Sequence, residues 1–308
     1  KFVSSHQNQG GLHFNSSKAT LDLNENKLLA DEVYLIKCAD AGVRPADGKI
    51  TIYPGAQMDT LENATILANT ESKLHEYRNA RIHIASSQIY SANAYIDYVD
   101  EDGKKHPVFI SELNPLSGQS VGKGDITRDS SLALSSAFNF FGKVTVNAQD
   151  SNFHFDGGVQ ISANCNDKQA AWIKFSAPID PQSIYIPVSE APVDIENNRI
   201  TASVLFNEDN FEPKIAFLTS DTEGDNVMLS TKGYLTYDKA KKNYIIASKQ
   251  KLEDFEQMGE YLSYNKTRCD IKGEGNIKMG LPVGSAVQMN NYGTLTVDKN
   301  NEAVLQMS

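Results

Sequence analysis

Apolar and polar residues alternate along most of the chain. In Ile50-Thr51-Ile52-Tyr53, Ala80-Arg81-Ile82-His83-Ile84, Tyr95-Ile96-Asp97-Tyr98-Val99 and Lys143-Val144-Thr145-Val146, every second side chain falls on one face, as in half-buried strands. Between such runs stand Ala46-Asp47-Gly48, Glu101-Asp102-Gly103, Asp156-Gly157-Gly158 and Glu223-Gly224-Asp225, which supply the positive φ that tight reversals need and are expected to be turns. Helical periodicity is sparse: the best stretch runs from Lys249 to Met258, closed by Gly259, and a weaker one from Lys168 to Ile173. The pattern predicts an all-β protein, rich in strand and poor in helix relative to ordinary globular domains.

A repeat emerges when segments are overlaid. Gly233-Tyr234-Leu235-Thr236-Tyr237-Asp238-Lys239, Glu260-Tyr261-Leu262-Ser263-Tyr264-Asn265-Lys266 and Gly293-Thr294-Leu295-Thr296-Val297-Asp298-Lys299 follow one template, and Ala19-Thr20-Leu21-Asp22-Leu23-Asn24 reads similarly. The unit is strand, Asx turn, strand, because Asn or Asp can accept a backbone N–H two residues on. Starts at 233, 260 and 293 give steps of 27 and 33 residues, within the range in which stacked repeats bury a continuous core. The unequal steps predict a loose stack or folded-over sheet rather than a strict solenoid. Leu21, Leu23, Leu235, Tyr237, Leu262, Tyr264, Leu295 and Val297 fall at equivalent positions, and one alternate set is expected to form a buried row. The repeat at 293–308 has an incomplete second strand, so this edge is expected to pair with continuing chain or to self-associate.

The pattern of Leu21, Leu23, Asn24, Lys27, Leu29 and Ala30, and again Cys269-Asp270-Ile271-Lys272-Gly273-Glu274-Gly275-Asn276-Ile277, resembles the OstA-like repeat of periplasmic lipopolysaccharide-transport proteins. The resemblance implies stacked units forming an open β-jellyroll with an apolar trough, lipid or lipopolysaccharide as partner, and a place in the periplasm or at the outer membrane. Residues 1–165 and 229–308 are accordingly read as β-repeat regions. The intervening 166–228 holds five of the ten prolines and is read as an inserted or flanking β-subdomain.

Composition narrows the partners. The net charge is −10, and the basic residues form no stripe that could neutralise a phosphate backbone, so nucleic acid is not expected. No run reaches the roughly 18 to 20 apolar residues that a membrane-spanning helix needs, and Lys1-Phe2-Val3-Ser4-Ser5 lacks a signal-peptide core. A soluble mature segment of a longer precursor is expected. Cys38, Cys165 and Cys269 are too far apart in sequence for a zinc motif; they read as small buried apolar residues, with one disulfide plus one free thiol as the alternative.

Candidate chemistry is thin. Gly118-Gln119-Ser120-Val121-Gly122 matches a nucleophile elbow, yet Lys123-Gly124-Asp125-Ile126-Thr127 is not a helix. Only His154 follows as a base, with Asp125, Asp129 or Asp150 as the acid, so the segment reads as a Gly-rich loop between strands. Its spacing up to Lys123 also fails the phosphate-loop pattern. Ser263 and Lys266 have Ser-x-x-Lys spacing but sit on a repeat turn. Asp100-Glu101-Asp102-Gly103 lacks the terminal Glu of a calcium loop, that position being Ser111, and reads as a hairpin turn. His75 and His83, near Glu76 and Arg81, are the best histidine neighbourhood, with His83 and Arg81 reading as a surface pair. Tyr90, Tyr95, Tyr98, Phe138, Phe140, Phe141, Phe153 and Phe155 read first as strand core, and otherwise as a lipid trough or sugar platform.

No catalytic, cofactor-binding or metal-binding residue is therefore assigned, and no cofactor is expected. The leading expectation is a non-enzymatic cell-envelope scaffold with an amphipathic ligand. The rivals are a carbohydrate-binding or adhesive module, in which exposed Tyr and Trp172 grip glycans, and a polysaccharide-degrading β-helix with clustered carboxylates.

Overall fold

The computed structural model describes residues 1–163, 170–207, 210, 212–220, 225–278 and 291–307. The protein is all-β, with 58% strand and 5% helix in several antiparallel sheets, none closed into a barrel. Two compact units divide the chain: Lys1–Ser130 with Gly142–Phe155, and Ser131–Phe141 with Asp156–Ser308.

In the first unit, strands Phe2–Val3, His13–Phe14, Ile36–Cys38, Ala41–Arg44, Leu61–Ala68, His75–Ile84, Tyr90–Val99, Lys105–Leu116 and Gln119–Ile126 lie side by side in that order. The last pairs with residues 142–147 of strand Phe138–Asn147. Alternation builds the core: Tyr77, Ile82 and Ile84 are buried on one strand, Tyr90, Ile96 and Tyr98 on the next, Val108 and Ile110 on the third. A smaller sheet joins Lys18–Asp22, Lys27–Asp31 and Ile50–Ile52.

The glycine-rich segment is not a loop, as its composition suggested, but the strand Gln119–Ile126. A Cβ at Gly124 would stand 2.3 Å from the Phe109 carbonyl oxygen, and one at Gly122 would stand 2.8 Å from the Tyr77 hydroxyl, so neighbouring strands demand glycine there. Asp156-Gly157-Gly158 likewise lies inside a strand, Phe153–Ile161, rather than at a turn. At Gly158 the rings and methyls of Phe141 and Ile195 occupy the space a side chain would need. Of Glu223-Gly224-Asp225, the first two lie outside the described residues, and Asp225 opens the strand Asp225–Ser230.

The Asx turns are present where the repeat placed them. Asn265 Oδ1 accepts the N–H groups of Thr267 and Arg268 at 3.0 and 2.8 Å, and Asp298 Oδ1 accepts those of Asn300 and Glu302 at 2.8 Å each. Asp100 closes its hairpin the same way, accepting from Asp102, Lys104 and the His106 ring. Burial acts to raise the Asp100 pKa, but the bonds from His106, Lys104 and Asp102 outweigh it and hold the carboxyl below its ordinary value.

In the second unit a sheet runs Ile186–Val188, Gly233–Asp238, Asn243–Ala247, Tyr261–Asn265, Ile271–Asn276, Tyr292–Val297 and Ala303–Met307. Its register carries Leu235, Ile246, Leu262, Gly273, Leu295 and Leu305 opposite one another in one row. Tyr237, Tyr244, Tyr264, Ile271, Val297 and Ala303 form the row two residues on. Each sequence repeat is thus one strand of the sheet with its turn, and the return strands interleave. Leu235, Leu262 and Leu295 are almost wholly buried.

A three-stranded sheet, Pro213–Ser220, Ile200–Asn207 and Asp225–Ser230, packs on the repeat sheet. Phe217 stacks on Tyr264 with centroids 5.0 Å apart, and Leu229 fills the space over Gly273, where a Cβ would meet it at 2.6 Å. Trp172 meets the Phe141 ring edge-on at 4.7 Å.

Three further expectations need correction. Leu21 and Leu23 are not in the buried row; they are 59% and 80% exposed, and Leu21 lies in the small sheet of the first unit. The helix near 249 is only Lys249–Glu253, ended at Asp254, after which Lys251 Nζ is bound by the carbonyls of Phe255 and Gln257. The weaker helical stretch is non-helical where described, since Ile173 opens the strand Ile173–Ile179.

Candidate ligand pocket

The sequence-selected groups come first. Ser120 is fully buried on a strand, its hydroxyl donating to Asp40 Oδ1 at 2.6 Å and its amide to both Asp40 oxygens, with the Tyr90 hydroxyl on the same Oγ. An enclosed hydroxyl held this way fastens strands together and offers no face to a substrate. Its bonds go to Asp40 and Tyr90 rather than to His154, Asp125, Asp129 or Asp150; the Asp150 carbonyl instead receives the His75 ring N–H at 2.6 Å. His75 is buried against Phe153, and that burial lowers its pKa. His83 and Arg81 are both exposed on strand His75–Ile84. Ser263 is buried in a strand, and Lys266 stands over the Tyr237 ring at 4.7 Å.

The aromatics are mostly core: Tyr90, Tyr98, Phe138, Phe140, Phe153 and Phe155 are buried. Phe141 is half-buried, and the exposed aromatics include Tyr95 and its cross-strand neighbour Phe109. The last two face each other across adjacent strands, centroids 5.1 Å apart and both exposed, with Arg78 over the Tyr95 ring.

The cysteines divide. Cys269 is disulfide-bonded, while Cys38 is a free thiol that donates to the Ser86 carbonyl at 3.0 Å. Burial pushes the Cys38 thiol up to about 12, so it stays protonated and unreactive at neutral pH. The reading of all three as simple apolar residues therefore fails at Cys269; Cys165 lies outside the described residues.

The concavity best shaped for a ligand was not singled out by sequence. It has a volume of about 710 Å³ and lies in the first unit, within the size range of ligand sites. One wall is the short 3-10 turn Gln7–Gln9 with the residues before it. His6 caps the turn by accepting the Asn8 N–H at 3.4 Å, and Gly10 closes it at φ +55°. The chain then doubles back, Ser4 N–H to the Leu12 carbonyl at 2.8 Å, which sets the polar groups of Ser4, Ser5, His6 and Asn8 along one lip. Gln9 reaches across and donates its side-chain amide to the Ala56 carbonyl, tying the turn to the 3-10 turn Pro54–Ala56 on the other side.

The lining beneath is apolar. Leu12, Phe14 and Met58 are buried, Phe2 stacks on Phe14 at 5.3 Å, and Leu28 and Ile52 complete it from the small sheet. No Asp, Glu, Lys or Arg lines the pocket among the described residues. The only local sign in the sequence is a polar run between two phenylalanines, Phe2 and Phe14; residues 52–58 reach the site through tertiary folding.

A second concavity of about 660 Å³ carries Lys18, Arg44 and Lys49 beside Asp31, Glu32 and Asp47, with Val33, Tyr34 and Pro45 also in its lining. No cluster of His, Cys, Asp and Glu suited to a metal occurs among the described residues, and no helix there is long and apolar enough to cross a membrane. Comparison of the chain with protein-family models, curated proteins and solved structures finds no match to any of them.

Proposed function

We propose that the chain is a non-enzymatic extracytoplasmic β-scaffold whose first unit holds an amphipathic ligand. The pocket carries this reading: a polar lip of Ser4, Ser5, His6 and Asn8 over an apolar lining of Phe2, Leu12, Phe14, Leu28, Ile52 and Met58. A molecule with an apolar part and a hydrogen-bonding head satisfies both surfaces, whereas a wholly polar solute leaves the lining wet. The disulfide at Cys269 supports an oxidising compartment such as the periplasm. The resemblance to OstA-like repeats agrees with a lipid-handling role at the cell envelope. The neutral amphiphile N-phenyl-1-naphthylamine tests this: its fluorescence is expected to rise on binding, to fall back in Leu28→Asp, and to be unaffected in Met258→Asp, which changes an exposed apolar residue elsewhere. Equal emission from all three proteins would refute the pocket as the site.

A second reading has its own observation. The exposed Tyr95–Phe109 pair, with Asp97 and Arg78 ion-paired beside it, forms a shallow aromatic platform of the kind sugars stack on. Glycan-array binding lost in Tyr95→Ala with Phe109→Ala would favour a carbohydrate-binding module.

A further inference from the structure

The amphiphile reading can be narrowed to a ligand class, and this inference rests on that reading. The relevant feature is the near absence of ionisable groups from the pocket lining, which holds no Lys, Arg, Asp or Glu and, as its one ionisable side chain, His6. A phosphate or ammonium head entering such a site gives up hydration without gaining an opposite charge, and that cost is severe in a partly enclosed space. Uncharged hydroxyl and amide groups lose far less, because Ser4, Ser5 and Asn8 can each donate and accept.

The apolar part of the ligand is set by the register of the small sheet. Leu21 is directly opposite Leu28, and Leu28 directly opposite Ile52, so the three share a face. Leu28 and Ile52 line the pocket, and Leu21, 59% exposed, extends that face outward. Three neighbouring strands span two inter-strand spacings, about 10 Å. An extended alkyl chain of roughly eight carbons covers that distance at about 1.3 Å per bond along its axis.

We propose that the pocket selects an uncharged, hydroxyl-bearing amphiphile of medium chain length, of the alkyl glycoside or neutral glycolipid class, and discriminates against anionic and cationic heads. The exposure of Leu21 then has a use: it carries the chain out of the pocket mouth.

Isothermal titration of the purified chain with n-octyl β-glucoside, n-octyl phosphate, n-octylammonium and free glucose, each below its micelle concentration, tests the assignment. Octyl glucoside is expected to bind, with the two charged octyl compounds weaker by at least about tenfold and glucose not binding. Asn8→Lys, which exchanges one hydrogen-bonding group of the exposed lip for a cation, is expected to raise octyl phosphate affinity severalfold and to weaken octyl glucoside. Leu21→Asp, at a surface position outside the core, is expected to weaken every octyl compound. Octyl phosphate or octylammonium binding as tightly as octyl glucoside overturns the uncharged-head assignment while leaving an amphiphile site in place. Binding of none of the octyl compounds overturns both that assignment and the pocket reading beneath it. Octyl glucoside binding indifferent to both Asn8→Lys and Leu21→Asp places the ligand elsewhere and also overturns the assignment.

Discussion

Tyr244 illustrates how much one hydroxyl can hold. It donates to the Ala137 carbonyl at 2.9 Å and accepts the Ser162 N–H at 3.0 Å, while its ring meets Phe138 edge-on at 5.8 Å. Burial raises its pKa well above that of an exposed tyrosine, so it remains a phenol and keeps its proton for Ala137. Tyr244→Phe keeps the ring but strands a buried donor and acceptor, and is expected to cost about 1 to 3 kcal/mol, measured as a lower urea midpoint. The partners of Tyr244 lie 107 and 82 residues away, beyond any local pattern. Ser120 shows the same limit. That its Gly-x-Ser-x-Gly setting was no elbow could be read from the residues following it. That Asp40 and Tyr90 would clamp it could not, because Asp40 is 80 residues distant.

At the scale of elements, the repeat was legible because strand periodicity fixes register. Residues two apart share a face, so overlaying segments on Leu235, Leu262 and Leu295 also aligns their hydrogen-bonded partners. The same overlay misplaced Leu21 and Leu23: their local pattern matches the repeat, but Leu21 pairs with Lys27–Asp31 in the small sheet and Leu23 lies in the turn between those two strands. Local alternation names a face; the partner strands decide whether anything covers it. The distinction is measurable. Leu262→Ala empties space beneath Leu229 and beside Gly273 and is expected to lower stability by about 2 to 5 kcal/mol. Leu21→Ala is expected to stay within about 0.5 kcal/mol of the parent. Chemical denaturation of both variants checks the pair, and a large loss at Leu21 would restore it to a core.

For the whole molecule, alternation and Asx turns were enough to read an all-β chain, whereas the candidate pocket was illegible because two phenylalanines, a polar run and residues 52–58 acquire meaning only when brought together. Two compact units, each with its own buried aromatic core, also bear on what an optical experiment sees. The protein has one tryptophan, and Trp172 belongs to the second unit, edge-on to Phe141. Selectively excited indole emission is therefore a gauge of that unit alone, while far-ultraviolet dichroism sums the strands of both. The two signals are expected to trace different urea transitions, and superimposable curves would mean that the units unfold as one. A dye displaced from the first unit's pocket and an indole shift from the second unit form a two-colour assay, each colour belonging to a different part of the same chain.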